Sequence, residues 1–248
     1  MTADPAAPPA NLEPGLAALR AEVARACARA GRSPEEVTIV AVTKGHAARR
    51  AREALAAGVA DLGESRAQEL APKARALAAE GERPGEAPAP RWHFIGHLQR
   101  NKVREVLPLI SCLHSLDSPR LLAAIEREQR RRGEAGGGAA SSLPCYLQVN
   151  VAGDPAKHGV PPAGLPALLE AALASEAVAV RGLMTVAPEG EPESARPHFR
   201  ALASLARQHG LAGLSMGMTG DYRVAIEEGS TLVRVGRALF GERATGAT

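Results

Sequence analysis

The sequence predicts a single-domain (β/α)8 barrel, an α/β fold of the TIM type. Three observations favour this fold. Eight short apolar segments alternate with helical patterns along 248 residues, and parallel strands need a helical crossover of this kind between neighbours. Nearly every segment also ends in polar or glycine residues, as the active face of a barrel requires. An open, doubly wound parallel sheet is the alternative that the same alternation allows.

The predicted strands are short runs rich in aliphatic and β-branched residues, bounded by polar residues or glycine. Some of these runs are weak, so the count of eight rests on their regular alternation with helices. In chain order the strands cover residues 37–43, 59–63, 91–96, 110–116, 145–151, 179–186, 213–217 and 232–236.

The predicted helices carry apolar residues at the three- and four-residue spacing of an amphipathic helix. One helix, 14–30, precedes the first strand. The others lie between or after the strands and cover residues 47–57, 66–79, 98–107, 119–132, 163–176, 193–209 and 221–228.

Segments rich in Pro, Gly or small residues predict where the chain is irregular. We expect a disordered leader at 1–11, a barrel domain at 12–241 and a flexible tail at 242–248. Two internal segments, 80–90 and 131–142, are expected to be surface loops.

Composition excludes several classes of partner. Thirty basic and 27 acidic residues give a net charge of +3, spread along the chain, and aromatic residues make up only 2%. Nucleic-acid binding through a basic patch or stacking platforms is therefore not expected. No apolar run reaches the length of a membrane span. Cys27, Cys112 and Cys145 are odd in number and far apart, which is typical of reduced thiols in a cytoplasmic protein.

Lys44 follows the first predicted strand directly, at the end where barrel enzymes build their sites. An amine there is either a solvated rim lysine or a group placed for chemistry. Partial desolvation lowers the pKa of a lysine and frees its neutral amine to attack a carbonyl. Two uses follow, which are holding pyridoxal phosphate (PLP) or attacking a sugar aldehyde as an aldolase does.

Two glycine-containing turns in the segment 214–241 follow the last two strands, and each enters a helix. Backbone N–H groups at such turns favour a phosphate, and the loops after strands seven and eight are the habitual phosphate site of this fold. The hydroxyl of Thr219 could cap the helix or serve the phosphate. Simple turn glycines are the alternative interpretation.

Arg234 stands within the last predicted strand, where a charged guanidinium needs a partner. That partner is either a buried carboxylate or the ring nitrogen of a bound pyridine. A ring nitrogen facing an arginine stays largely unprotonated and is a weak electron sink, which argues against carbanion chemistry.

The histidines do not predict a metal centre. His93 and His97 occur in "WHFIGH" and His114 in "HSLDS", but no HExxH motif or carboxylate with ligand-like spacing accompanies them. A Ser/His/Asp triad is not expected either, because the chain lacks a GxSxG nucleophile elbow.

Eight motifs, in order and in register from about residue 14 to 241, resemble the YggS/PROSC family of pyridoxal-phosphate-binding proteins, also called PLP homeostasis proteins. They are "AVTK", "LGESRAQE", "WHFIGHLQRNK", "HSLDS", "VNVAGDPAKHG", "RGLMTV", "LSMGMTGDY" and "STLVRVGRALFG". The resemblance implies a barrel like the N-terminal domain of alanine racemase, with PLP held as a Schiff base on Lys44 and Arg234 facing the pyridine nitrogen. The cofactor-binding residues that it implies are Lys44, Ser65, His93, Ser215, Met216, Gly217, Thr219, Arg234, Gly236 and Arg237.

This sequence departs from the family pattern at three of these positions. The usual "GEN" ends in Ser65, which replaces an asparagine side chain by a hydroxyl. The usual "GMS" ends in Thr219, which keeps the hydroxyl. Arg237 stands where a small hydroxyl residue is common, so that a backbone N–H or the guanidinium would take over its contact with phosphate.

The resemblance implies a carrier or regulator of cellular PLP, linked to amino-acid and keto-acid balance, with little or no turnover and no catalytic residue. Apo forms of PLP enzymes are the partners that it suggests. Racemases of this fold add a second domain, through which they dimerise, and a tyrosine base. We expect no such domain here and therefore a monomer. Tyr146 and Tyr222 are the only tyrosines, and neither is expected at the place of a second base. A narrow-range amino-acid racemase and, less favoured, a Schiff-base aldolase acting on a phosphorylated sugar are the alternatives.

Overall fold

Eight parallel strands form a closed barrel in sequence order, and the first strand pairs with the eighth. The computed structural model describes residues 12–79, 89–136 and 141–241. The predicted (β/α)8 barrel is confirmed, and the alternative of an open sheet is wrong. The predicted leader at 1–11 and tail at 242–248 lie outside the described residues, as do 80–88 and 137–140 of the two predicted loops.

The strands match the predicted segments, with ends that differ by a few residues. They are β1 (Thr38–Val42), β2 (Asp61–Glu64), β3 (Arg91–Phe94), β4 (Cys112–Leu116), β5 (Leu143–Gln148), β6 (Val178–Met184), β7 (Gly213–Met218) and β8 (Leu232–Val235).

The helices cover the barrel from outside and connect successive strands. They are α1 (Glu13–Arg29), α2 (Ala48–Ala56), α3 (Ala67–Ala78), α4 (Val103–Val106), α5 (Pro119–Gly136), α6 (Leu165–Leu173), α7 (Arg196–Gln208), α8 (Tyr222–Glu227) and α9 (Arg237–Phe240).

Two local predictions differ from the structure. The predicted loop at 131–142 is helical up to Gly136, since this Arg- and Glu-rich run favours helix. The helix predicted at 98–107 is broken into α4 between two 3-10 turns; the second turn contains Pro108, which cannot continue an α-helix. The helix predicted to follow the glycine turn after β8 is the short α9.

The barrel has two cores, one outside the sheet and one inside it. The larger cluster joins the outward faces of the strands to the helices. A smaller cluster combines apolar side chains from five different strands, Val40, Cys112, Tyr146, Met184 and Leu232, which can meet only inside the barrel. Two-residue alternation directs His114 inward with Cys112, and Arg234 inward with Leu232. The interior is therefore partly polar, although it is buried.

Within the described residues, no helix is both long and apolar enough to cross a membrane.

Candidate functional site

A pocket of about 720 Å³ opens at the carboxyl-terminal mouth of the barrel. Its lining comes mainly from the loops after β1, β6, β7 and β8, as expected for the active face of this fold. The polar residues that line it are Lys44, His46, Glu189, Thr219, Asp221, Arg234 and Arg237.

Lys44 lies two residues beyond the end of β1, with an exposed side chain that lines the pocket. The residues on either side of Lys44 are hydrogen-bonded to side chains of α3. The Thr43 carbonyl accepts a hydrogen bond from Lys73 Nζ at 2.7 Å, and the Gly45 N–H donates to Glu69 at 2.6 Å. The backbone on both sides of Lys44 is therefore fixed, which gives the amine a defined origin at the pocket wall.

A buried ion pair completes this support. Glu64 is fully buried, and its Oε1 accepts hydrogen bonds from Lys73 Nζ at 2.5 Å and from the Thr43 hydroxyl at 2.7 Å. Burial raises the pKa of Glu64, and the bonds from Lys73 and Thr43 offset that effect only in part. Pairing is what allows a carboxylate and an ammonium to lie under the strand end without water.

Arg234 in β8 forms the inner end of the pocket and is only 3% exposed. Its Nη1 donates to Ser215 Oγ at 2.6 Å, and its Nη2 donates to the Thr185 carbonyl at 2.8 Å. Burial lowers the pKa of Arg234 to about 10, although the nearby charge of Asp221 opposes this. The guanidinium stays charged at neutral pH and retains further N–H groups for a molecule in the pocket.

The turns after β7 and β8 meet at the pocket edge. Gly217 has a φ of 92°, and a Cβ there would lie 2.6 Å from Ala225 Cβ, so only glycine fits. Asp221 Oδ1 accepts from the Met218 N–H at 2.6 Å, which closes the first turn. Thr219 Oγ1 accepts from the Gly236 N–H at 3.4 Å and thereby joins the two turns.

The family model for the alanine racemase N-terminal domain matches residues 15–244. A pyridoxal phosphate homeostasis protein of Deinococcus radiodurans is 41% identical over 224 residues, which cover 90% of this chain and 98% of the relative. One from Pseudomonas aeruginosa is 40% identical and covers 94% of this chain and 96% of its own length. The chain belongs to the pyridoxal phosphate homeostasis protein family.

Solved structures agree with this family membership. PipY of Synechococcus elongatus, solved with PLP bound, is 34% identical, covers 93% of this chain and all of its own, and superposes with a TM-score of 0.76. Alanine racemase of Corynebacterium glutamicum shares the fold at a TM-score of 0.61 and 18% identity; the match covers 94% of this chain and 63% of that one.

The structure brings five of the ten predicted cofactor residues together as pocket lining, namely Lys44, Thr219, Arg234, Gly236 and Arg237. Gly217 and Ser215 lie directly behind this lining, in the β7 turn and under Arg234.

The other three predicted residues lie elsewhere. Ser65 lines a neighbouring cavity with residues that follow β3, such as His97. His93 lies inside the barrel, bonded to His114 and Asp61. Met216 is fully buried in the outer core, because alternation along β7 directs it away from Ser215 and the interior.

Sequence reasoning missed three titratable groups of the pocket, His46, Glu189 and Asp221. Each follows a strand end within a few residues, so the rule that found Lys44 could have found them. Asp221 was not singled out because aspartate is common at the start of a helix. Its carboxyl is partly buried, and that burial raises its pKa.

The described residues contain two groups of atoms with the proximity of metal ligands, although no metal site was predicted. One is His93, Cys112 and His114; the other is His97, Asp117 and His158. In the first group the two imidazoles are hydrogen-bonded to each other. In the second the rings of His97 and His158 stack at 3.9 Å. The absence of a metal stays a prediction.

Proposed function

We propose that this protein binds PLP covalently, as a Schiff base on Lys44, and serves intracellular PLP homeostasis and amino-acid and keto-acid balance with little or no turnover. The observation that carries the proposal is the presence of Lys44 and Arg234 in one pocket of a chain from the pyridoxal phosphate homeostasis family. The amine can hold the aldehyde of this cofactor, and the guanidinium can donate a hydrogen bond to its ring nitrogen.

The pocket also fits the phosphate of PLP. Gly217 and Gly236 let the backbone of two turns approach closely, and Arg237 and Thr219 add a charge and a hydroxyl at the same edge. We therefore assign the phosphate to the turns after β7 and β8. When bound, PLP supplies an electrophilic aldehyde and a conjugated ring that can accept electrons.

Arg234 supports storage of the cofactor over carbanion chemistry. A guanidinium with a pKa of about 10 keeps its proton at neutral pH, so the ring nitrogen opposite it would receive a hydrogen bond without becoming protonated. An unprotonated ring is the weaker electron sink. The residue that holds the ring would thus limit reactions of a bound amino acid.

The positions of the two tyrosines argue in the same direction. Tyr146 lies inside the barrel against the His114 ring, and burial raises its pKa to about 12. Tyr222 is buried beside α1. Neither is among the described lining residues of the pocket, so a tyrosine from this chain would not serve as the second base of a racemase.

We further propose a cytoplasmic monomer that hands PLP to apo forms of PLP-dependent enzymes. All three cysteines are free and buried, which suits a reducing compartment. Among the described residues, Leu173 is the one large hydrophobic side chain that is exposed, whereas obligate interfaces need extended apolar surface. Light scattering coupled to size exclusion tests the monomer, and transfer of PLP to an apo enzyme across a time course tests delivery.

The decisive experiment is borohydride reduction of the PLP-loaded protein followed by peptide mass mapping. We expect the added mass on Lys44, its loss in Lys44→Ala, and its retention in Lys102→Ala, a control that removes a surface lysine paired with Glu105. A folded Lys44→Ala variant that still traps PLP would overturn the assignment.

Turnover is tested separately by incubating the loaded protein with amino acids in deuterated water. Essentially no exchange of the α-hydrogen supports a carrier. Exchange at catalytic rates would favour the alternative of a narrow-range racemase. A colourless protein that traps a sugar phosphate on Lys44 would favour the aldolase.

A further inference from the structure

A continuous chain of hydrogen bonds crosses the buried interior of the barrel from the pocket to its opposite end. Arg234 Nη1 lies 2.6 Å from Ser215 Oγ, which lies 2.8 Å from His114 Nδ1. His114 Nε2 lies 2.8 Å from His93 Nδ1, and His93 Nε2 lies 2.9 Å from Asp61 Oδ1. These residues come from five different positions in the sequence and meet only because the barrel is closed.

With both histidines neutral, the two ends of the hydrogen-bond chain fix the direction of every bond between them. A guanidinium can only donate, and an ionised carboxylate can only accept. Burial alone would raise the pKa of Asp61, but the hydrogen bonds from His93 and Arg91 and the charge of Arg91 outweigh it and lower that pKa to about 2. Asp61 is therefore ionised at neutral pH and accepts from His93.

A neutral imidazole has one N–H, so each histidine donates through one ring nitrogen and accepts through the other. If His93 donates through Nε2, its Nδ1 must accept from His114 Nε2–H. His114 Nδ1 must then accept from the Ser215 hydroxyl, whose oxygen is left to accept from Arg234. Burial lowers the pKa of His114 well below its usual value, and the charge of Arg234 acts in the same direction, so His114 stays neutral.

Little water can compete with these bonds. Ser215 and His114 are fully buried, and His93 is 7% exposed. The Tyr146 ring packs on His114 with centroids 4.8 Å apart and covers it from the side. A buried polar group that lost its partner here would remain unsatisfied, so the network is strongly held in one arrangement.

We propose that His114, His93 and Asp61 are positioning residues, which orient the Ser215 hydroxyl so that its oxygen accepts from Arg234 and aims the guanidinium at the pyridine nitrogen of PLP. The inference rests on the proposed function for the identity of the ligand. It adds that a carboxylate at the amino-terminal end of β2, beside the exposed Arg91, controls the far end of the barrel.

Asp61→Asn is the informative change, because the amide nearly preserves shape but removes the constraint on direction. Its oxygen can accept from His93, but its nitrogen can also donate to His93 Nε2. In that second arrangement both histidines carry their protons on Nδ1, and His114 donates to Ser215. The Ser215 hydroxyl proton must then be donated to another acceptor. Ser215 Oγ accepts from both Arg234 and His114 in this arrangement.

The first measurement is the tautomeric state of His93 and His114 by 15N NMR on the protein without PLP. In the wild type we expect both rings to be neutral with the proton on Nε2. In Asp61→Asn we expect a substantial population with the proton on Nδ1, and Asp61→Glu should restore the wild-type pattern. Arg91→Gln is the matched control, since it removes the ion pair of Asp61 with Arg91 and leaves the hydrogen bonds from Asp61 to Arg234 intact.

The second measurement uses the PLP-loaded protein. Asp61→Asn should shift the absorption spectrum of the bound cofactor. It should also change the rate at which PLP is released by about two- to thirtyfold, the range of coupling through such networks. Both quantities should stay close to wild type in Arg91→Gln.

Nδ1 protonation in the wild type, or a folded Asp61→Asn variant with unaltered tautomers and spectrum, would overturn the inference. If Asp61→Asn does not fold, the tautomers of the wild type carry the test. Failure of PLP to attach to Lys44 would refute the proposed function and leave the tautomer result standing.

Discussion

Replacing Lys73 by methionine tests how the buried ion pair supports the strand end that carries Lys44. Methionine keeps most of the apolar length of the side chain and removes the ammonium. Lys73 Nζ now donates to the Thr43 carbonyl at 2.7 Å and to Glu64 at 2.5 Å. After the change, the fully buried Glu64 keeps only the Thr43 hydroxyl as a partner among the described residues.

The expected loss follows from that uncompensated carboxylate. Removing one member of a buried pair lowers the free energy of unfolding by about 3–5 kcal/mol, against the 5–15 kcal/mol that is typical of a whole domain. The variant should also depend on pH. In this variant the folded-state pKa of Glu64 is raised further, so the contribution of Glu64 to stability is fully present below about pH 4.5 and is lost as pH rises through the folded pKa.

Urea unfolding of the protein without PLP, followed by circular dichroism at several pH values, measures both effects. Glu64→Gln combined with Lys73→Met removes the orphaned charge and should recover most of the loss. Lys102→Met breaks a partly exposed pair with Glu105 and should lower stability by less than about 1 kcal/mol. A Lys73→Met variant as stable as Lys102→Met, with no pH dependence of its own, would refute the reasoning.

Three further predictions test other parts of the structure. Gly217→Ala should lower stability by about 1–3 kcal/mol in urea unfolding and weaken PLP binding in a titration, because φ is 92° and the added Cβ would meet Ala225 at 2.6 Å; unchanged values would mean that the turn relaxes freely. Lowering the pH from 4 to 2 should reduce the free energy of unfolding by about 2 kcal/mol through Asp61. The pKa of Asp61 falls from 3.8 to about 2 on folding, so its carboxylate stabilises the fold only while ionised. Asp61→Asn should lack this component. Leu173→Ser, at a side chain that is 66% exposed, should leave the thermal midpoint nearly unchanged, and a large drop would reveal a partner surface there.

The positions of the elements were predictable because they depend on local patterns. Apolar runs of five to eight residues predicted the eight strands, and three- to four-residue spacing predicted the main helices. The 3-10 turns on either side of α4 were not predicted, because a single turn is too short to give a periodic signal. Lys44 was found for a similar reason, since the end of a strand is a property of its immediate sequence.

The surroundings of those residues were decided by tertiary structure. Lys73 occurs on an amphipathic helix like other surface lysines, and only the packing of α3 on β2 brings it to Glu64. Met216 and Ser215 are neighbours in sequence, but the orientation of β7 sends one into the outer core and the other under Arg234.

The sequence by itself therefore determined a (β/α)8 barrel, the lysine that follows its first strand and the arginine within its last strand. Only barrel closure decided that Ser215 would meet His114, which is 101 residues away in the chain, and only the register of β2 on β3 decided that His93 would meet Asp61. Periodicity is local, so it can be read from neighbouring residues. Contacts between distant strands depend on register and closure, which no single segment encodes.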